Sequence, residues 1–175
     1  MPTIRIARPE DSAPLADLAA ATFPLACPPD LGPDDIESFI DSQLSTEHFA
    51  RFIASPTTIV FVADRDGCLV GYALLDLSEP PATIQAMLGA GRAIDLDKFY
   101  LAASEHGQGT AAELMRSVQQ YGREADADWL WLGVNHENRR AHRFYEKQGF
   151  RCVGTRTFTV GRHTFTDDYV LARHS

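Results

Sequence analysis

Hydrophobic spacing changes period several times along the chain, and each change marks an element. Ile4 and Ile6 alternate with Thr3 and Arg5, as in a first strand. Pro9, Glu10 and Asp11 then offer a helix start, and Leu15, Leu18, Ala19 and Thr22–Phe23 continue at helical spacing. Pro24 to Pro33, with four prolines in ten residues, reads as a loop. Pro33 suits a first helical position, and Ile36, Phe39, Ile40 and Leu44 form one apolar stripe. Ser45 or Thr46 can cap a further short helix holding Phe49, Phe52 and Ile53.

From Thr58 the period becomes two. IVFVA and CLVGYALLDL flank Arg65-Asp66-Gly67, which predicts a hairpin turned at Asp-Gly. Ser78 to Arg92, rich in Pro, Ala and Gly, predicts a long connection that a ligand could order. Ala93 to Leu101 reads as a strand running into Gly107 and Gly109. A helix follows, with Ala111, Leu114, Met115, Val118, Tyr121 and Ala125 three and four apart. WLWLGV, Trp129 to Val134, is short and wholly apolar, as a central strand covered on both faces should be. Asn138 to Gln148 predicts a helix closed by Gly149, and RCVGTRTFTV with HTFTDDYVL a final strand pair. The order β-α-α-ββ-β-α-β-α-ββ implies an α/β fold with helices on both faces of a mixed sheet.

Composition narrows this little, but charge does more. The 175 residues carry 45% hydrophobic and 23% charged side chains, an ordinary globular balance for one domain. The start, MPTIRIARPEDS, lacks the apolar segment of a secretory signal, and no run approaches the ~18 apolar residues of a membrane helix. Three widely spaced cysteines, Cys27, Cys68 and Cys152, fit reduced thiols in a cytoplasm. The histidines show no metal-binding spacing, so no metal is expected. The formal net charge is −8, with no Lys or Arg between Arg8 and Arg51, whereas Arg139, Arg140, Arg143, Lys147 and Arg151 cluster late. That asymmetry argues against a nucleic-acid surface across the N-terminal half.

Strand, glycine turn and helix around residues 99–112 direct bare N–H groups and a helix dipole at one spot, so a phosphate-bearing ligand is the default expectation. GQGTAA formally matches the dinucleotide fingerprint. Starting at residue 107, however, it leaves too little chain for the repeated βαβ halves of that fold. The next strand also ends in Val134-Asn135, without the carboxylate a ribose requires. No Lys-Ser/Thr follows the glycines, which excludes a Walker A loop.

A second motif, NRRAHRFYEKQGF, follows at Asn138 to Phe150. The pair resembles the GNAT superfamily of acetyl-CoA-dependent N-acetyltransferases, whose phosphate turn reads Q/R-x-x-G-x-G/A and whose later helix reads N-x-x-A-x-x-F/Y-Y-x-x-x-G-F. Here the turn is His106-Gly107-Gln108-Gly109-Thr110-Ala111, and the helix keeps Asn138, Ala141, Phe144, Tyr145, Gly149 and Phe150. WLWLGV and the late Phe158, Gly161 and Asp167 are similar to the bacterial spermidine/spermine N-acetyltransferase branch. The resemblance covers residues 3–173 and implies one GNAT domain, its mixed sheet of about six to seven strands splayed in the middle and flanked by about four helices. It further implies a cytoplasmic enzyme, without nucleic-acid or membrane partners, and it allows a homodimer.

Residue by residue, the resemblance gives acetyl-CoA contacts to the backbone of Phe99, Tyr100 and Leu101, for pantetheine, and to the N–H groups of His106, Gly107, Gln108, Gly109, Thr110 and Ala111, for pyrophosphate. His106 departs from the usual Gln or Arg. Asn138 would reach the cofactor arm, and Arg139, Arg140 or Arg143 the ribose phosphate. Tyr145 stands where the family places its general acid, and the Leu101 N–H would polarise the carbonyl. The position where some relatives carry a basic glutamate is Gly133, so Asp95 and Asp97 are the candidate bases. The acceptor, expected between the first helices and the hairpin, would meet Asp30, Asp34, Asp35 and Glu37, acids that suit a polyamine but equally complement a helix dipole. The alternatives are a peptide N-terminus, an amino acid or an aminoglycoside-like amine, and, in another class, a non-catalytic acyl-CoA-binding module.

Overall fold

A computed structural model describes the backbone of all 175 residues and every side chain except those of Phe158 and residues 165–168. The Phe158 and Asp167 side chains of the branch resemblance therefore lie outside the described residues. In chain order the elements are β1 (Thr3–Ile6), α1 (Ser12–Ala26), α2 (Pro33–Gln43), α3 (Thr46–Ala54), β2 (Thr58–Arg65), β3 (Cys68–Asp76), α4 (Ala82–Leu88), β4 (Ala93–Leu101), α5 (Thr110–Glu124), β5 (Trp129–Val134), α6 (Arg139–Lys147), β6 (Arg151–Val160) and β7 (His163–His174). Single 3-10 turns occupy Pro9–Asp11 and Ala103–Glu105.

All seven strands join one sheet in the order β1-β2-β3-β4-β5-β7-β6. Every neighbouring pair is antiparallel except β4 and β5. That parallel pair lasts for three residues, Ala93 to Asp95 against Trp129 to Trp131, after which the strands part. The sheet is thus split at its centre, as the resemblance implies. The facing edges of β4 beyond Asp95 and of β5 beyond Trp131 lack ladder partners in each other.

Two apolar layers cover the sheet. On one face Leu114, Met115 and Val118 of α5 meet Ile94, Leu96, Leu130 and Leu132. On the other, Leu15, Leu18 and Phe23 of α1 and Phe49 of α3 meet Val60, Val62, Tyr72 and Leu74. β5 is covered on both sides, because Trp131 turns away from α5 to pack with Ile84 and Leu88 of α4.

Three elements differ from the sequence reading. Six α-helices form where about four were expected. The added α4 lies inside the presumed irregular connection, where ATIQAML is a run of helix formers between Pro81 and Gly89, whose φ is 88°. α1 runs on through Pro24 to Ala26, since a missing N–H costs little in a final turn. Finally, β4 carries a bulge. Leu74 opposes Lys98 and Leu75 opposes Leu96, so Asp97 has no opposite number.

Candidate active site

The split creates a cavity of about 360 Å³ that passes through the molecule's centre. One end is built from the glycine turn and the start of α6, contributing Gly107, Gly109, Ala111, Asn138 and Arg140. The middle is walled by Phe99, Tyr100 and Leu101 of β4, Gly133 and Val134 of β5, and Tyr145 of α6. The far end belongs to the last turn of α1, Phe39 of α2, Lys98, and Arg156 and Val160 of β6.

The turn is held open by its backbone. Gly107 and Gly109 adopt φ values of 78° and 85°, which L side chains disfavour. A Cβ on Gly107 would meet no protein atom within 4 Å, so the space in front of it is clear. The His106 N–H donates to the Ala103 carbonyl at 3.2 Å and that of Gln108 to the Glu105 carbonyl at 3.1 Å. These two are spent on the turn itself, which corrects the expectation that all six N–H groups from His106 to Ala111 face a ligand. Helical bonding starts with the Glu113 N–H on the Gly109 carbonyl at 3.2 Å. Donors on Gly107, Gly109, Thr110 and Ala111 precede it, at the positive end of α5. This donor set fits a pyrophosphate.

A residue that the motif does not mark secures the turn. Glu105 is 5% exposed and accepts from Arg65 Nε at 3.0 Å, from Arg65 Nη2 at 2.8 Å and from Thr110 Oγ1 at 2.5 Å. Its carboxyl is held below the usual glutamate range, first by the Arg65 hydrogen bonds and then by Thr110. The β2–β3 hairpin is thereby tied to the start of α5. Thr110 is accordingly structural through its hydroxyl. The His106 ring nitrogen Nδ1 lies 2.8 Å from Arg140 Nη1, so these two line the mouth together.

On α6, Asn138 Oδ1 caps the helix by accepting from the Ala141 N–H at 3.2 Å. Arg139 and Arg143 are exposed, and neither lines the cavity; Arg140 does. Tyr145, 8% exposed, lies among the rings of Phe99, Phe144 and Phe150. Burial pushes its phenol well above the ordinary range, so the group is neutral at pH 7.

The two candidate bases are separated by the bulge. The sequence spacing put Asp95 and Asp97 on one face, but the unpaired Asp97 breaks the alternation. Asp97 lines the cavity and pairs with Lys98 Nζ at 2.6 Å. Asp95 opposes Asp76 and does not line it. Burial, then Asp97, pushes the Asp95 carboxyl well above the usual range, with Arg156 acting against the shift.

The acidic residues assigned to the acceptor do not meet there. Asp30, Asp34, Asp35 and Glu37 are all absent from the cavity wall. Asp34 and Glu37 lie on the outer face of α2 with Asp41. Asp35 sits against the β6–β7 turn, 3.2 Å from His163 Nε2. Charge along a sequence has no direction, and α2 turns its acids outward while Phe39 faces in. Arg156, which sequence reasoning passed over, lines the cavity instead. Among the described residues no cluster of His, Cys, Asp or Glu could hold a metal ion, and no helix is long and apolar enough to cross a membrane.

Known proteins give this geometry a family. A model of the acetyltransferase (GNAT) family matches residues 19–150. An uncharacterized N-acetyltransferase of Mycobacterium tuberculosis is 44% identical over 163 residues, covering 93% of this chain and 97% of that protein. Another, from Lactobacillus delbrueckii, is 27% identical over 138 residues, covering 79% of this chain and 78% of that protein. Among solved structures, the PaiA N-acetyltransferase of Thermoplasma acidophilum in complex with coenzyme A superposes with a TM-score of 0.81 at 18% identity, covering 100% of this chain and 99% of that one. Arabidopsis thaliana NAA60 in complex with a bisubstrate analogue reaches 0.77 at 18% identity, covering 100% and 99%. The split sheet, the glycine turn and the matched residues agree: this chain belongs to the GNAT acetyltransferase family, whose enzymes take their acetyl group from acetyl-CoA.

Proposed function

We propose that the protein, as one catalytic domain over residues 3–173, transfers acetyl from acetyl-CoA directly to a primary amine bound in the same cavity. The observation that carries this reading is the continuity of that cavity, from the glycine turn past Tyr145 to the end of α1. Gly107, Gly109, Thr110 and Ala111 would hold pyrophosphate through backbone donors, and the free edges of β4 and β5 would pair with the pantetheine amides. The neutral amine attacks the thioester carbonyl while the Leu101 N–H stabilises the developing oxyanion. As the C–N bond forms and the C–S bond breaks, Tyr145 gives its proton to the leaving thiolate. The proton shed by the amine passes to Asp97 or to water. Retention of both Tyr145 and Asn138 favours catalysis over a purely acyl-CoA-binding role, which has less need of the phenol. The relatives in complex with coenzyme A and with a bisubstrate analogue support one cleft serving both substrates.

The finer polyamine reading drew on acids that lie off the cavity, and only the overall charge still favours it. A cytoplasmic site of action is in keeping with three free thiols. The test is Tyr145→Phe. We expect kcat to fall about 100-fold or more with acetyl-CoA affinity unchanged by titration. Loss of both, or of neither, would overturn the assignment.

A further inference from the structure

We infer that Arg65, at the β2–β3 hairpin, governs acetyl-CoA affinity without touching the cofactor, by neutralising a carboxylate built into the pyrophosphate turn. This deepens the proposed transfer and rests on the assignment of that turn to pyrophosphate.

A carboxylate is the wrong charge for this place. Glu105 lines the cavity with Gly107 and Gly109. Its Oε2 accepts from Thr110 Oγ1 at 2.5 Å. Thr110 is the first residue of α5, and its N–H is among the donors left for a ligand. Carboxylate and pyrophosphate therefore share the positive end of one helix. The Glu105 carboxyl is held below the usual glutamate range, chiefly by Arg65, so its charge is on at neutral pH. An anion there opposes a second anion unless a cation cancels it.

Arg65 supplies that cation. It is the last residue of β2, fixed where Asp66 and Gly67, with φ values of 54° and 86°, turn the chain. Nε donates to Glu105 Oε1 at 3.0 Å and Nη2 to Oε2 at 2.8 Å, the two-pronged fork that matches a carboxylate. The carboxylate side chain is 5% exposed and that of Arg65 39%. The Met1 α-amino group also acts on Glu105, as the least of the causes. Arg65 itself is absent from the cavity wall, so its effect on a ligand passes through Glu105. A brace and a charge device differ in sign. If the network only braces the turn, any break in it weakens binding. If charge decides, removing the cation weakens binding, and removing the carboxylate as well restores it.

The experiment is titration calorimetry of acetyl-CoA on the full chain, with Tm measured in parallel. Arg65→Met should raise Kd about tenfold or more at low salt, as expected for a like charge left beside the ligand. Arg65→Lys, which keeps the charge and loses the fork, should stay within about threefold of the wild-type Kd. Glu105→Gln should bind at least as tightly as wild type while its Tm falls. The double variant Arg65→Met/Glu105→Gln should recover most of what Arg65→Met loses. A wild-type Kd in Arg65→Met, or a double variant as weak as Arg65→Met, would each overturn the inference alone. Glu105→Gln decides even where Arg65→Met does not fold, because weaker binding by that variant marks a brace and overturns the charge role. A wild-type protein that binds no acetyl-CoA would overturn the inference together with the proposed transfer.

Discussion

Gly107→Ala probes the ligand-facing role of the turn, and Gly89→Ala supplies a control outside the cavity. Gly107 and Gly89 have φ values of 78° and 88°, and a Cβ on either would meet no protein atom within 4 Å. Both are exposed. Gly89 ends α4 and does not line the cavity. An alanine held in the left-handed region costs roughly 1–2 kcal/mol, offset by about 0.4–1 kcal/mol from a less flexible unfolded chain. At Gly107 the net loss of up to about 1.5 kcal/mol corresponds to a Tm fall of a few degrees at this size; Gly89, with ψ at −160°, sits where almost only glycine goes, so its variant should lose at least as much. Acetyl-CoA affinity should separate them. If the Gly107 N–H holds a phosphate oxygen, displacing it removes a charge-assisted bond worth about 1.5–3 kcal/mol, or roughly ten- to a hundredfold in Kd. Gly89→Ala should leave Kd unchanged. Scanning fluorimetry and titration calorimetry on both proteins decide the matter. A lowered Tm with a wild-type Kd in Gly107→Ala would refute the assignment of this turn to the pyrophosphate.

Two further outcomes are expected. Gly133→Ala should push the Arg156 guanidinium off β5, since the tip of a long side chain yields more readily than backbone. Stability should fall by about 1–3 kcal/mol, read as a lowered Tm; an unchanged Tm would show that the guanidinium does not rest on β5. Asp11 accepts from Arg5 Nη1 at 2.8 Å, from Nη2 at 3.0 Å and from the Arg8 N–H at 2.7 Å, and the Arg5 hydrogen bonds chiefly hold its carboxyl below the usual range. A depressed folded-state pKa gives stability present above the unfolded value and lost as pH falls through the folded one. Asp11→Asn should therefore be less stable than wild type at pH 7 and lose less Tm on acidification; parallel Tm–pH curves would contradict this.

What the sequence disclosed was local. Gly107, Gly109, Asn138 and Tyr145 announce themselves through short spacing, and the Asp66-Gly67 hairpin through turn chemistry. Contacts between distant segments stayed hidden. Glu105 and Arg65 are forty positions apart, and nothing near either marks the pairing. Arg156 reaches Gly133 only because β7 lies between β5 and β6 in the sheet. The acids of α2 were legible as charge, but the direction they face is set by Phe39 turning inward. Helix α4 was masked by its flanking prolines and glycines, although its own seven residues are ordinary helix formers.

The unpaired Asp97 has a consequence for how this chain tolerates change. Pleated strands present side chains by parity, and one supernumerary residue acts as a frame shift in that parity. Leu96 and Phe99, three apart, share the α5 face, while Tyr100 shares the opposite layer with Tyr72. Deleting Asp97 would leave Leu96 and Phe99 two apart, an even count that keeps both in the α5 layer and Lys98 opposite Leu74. The ladder with β3 would close over the gap with both layers intact, and the cavity would lose one carboxylate. The extra residue thus sets an acid on the wall of the reaction chamber without displacing a side chain from either layer, so the length of the segment serves the site rather than the sheet.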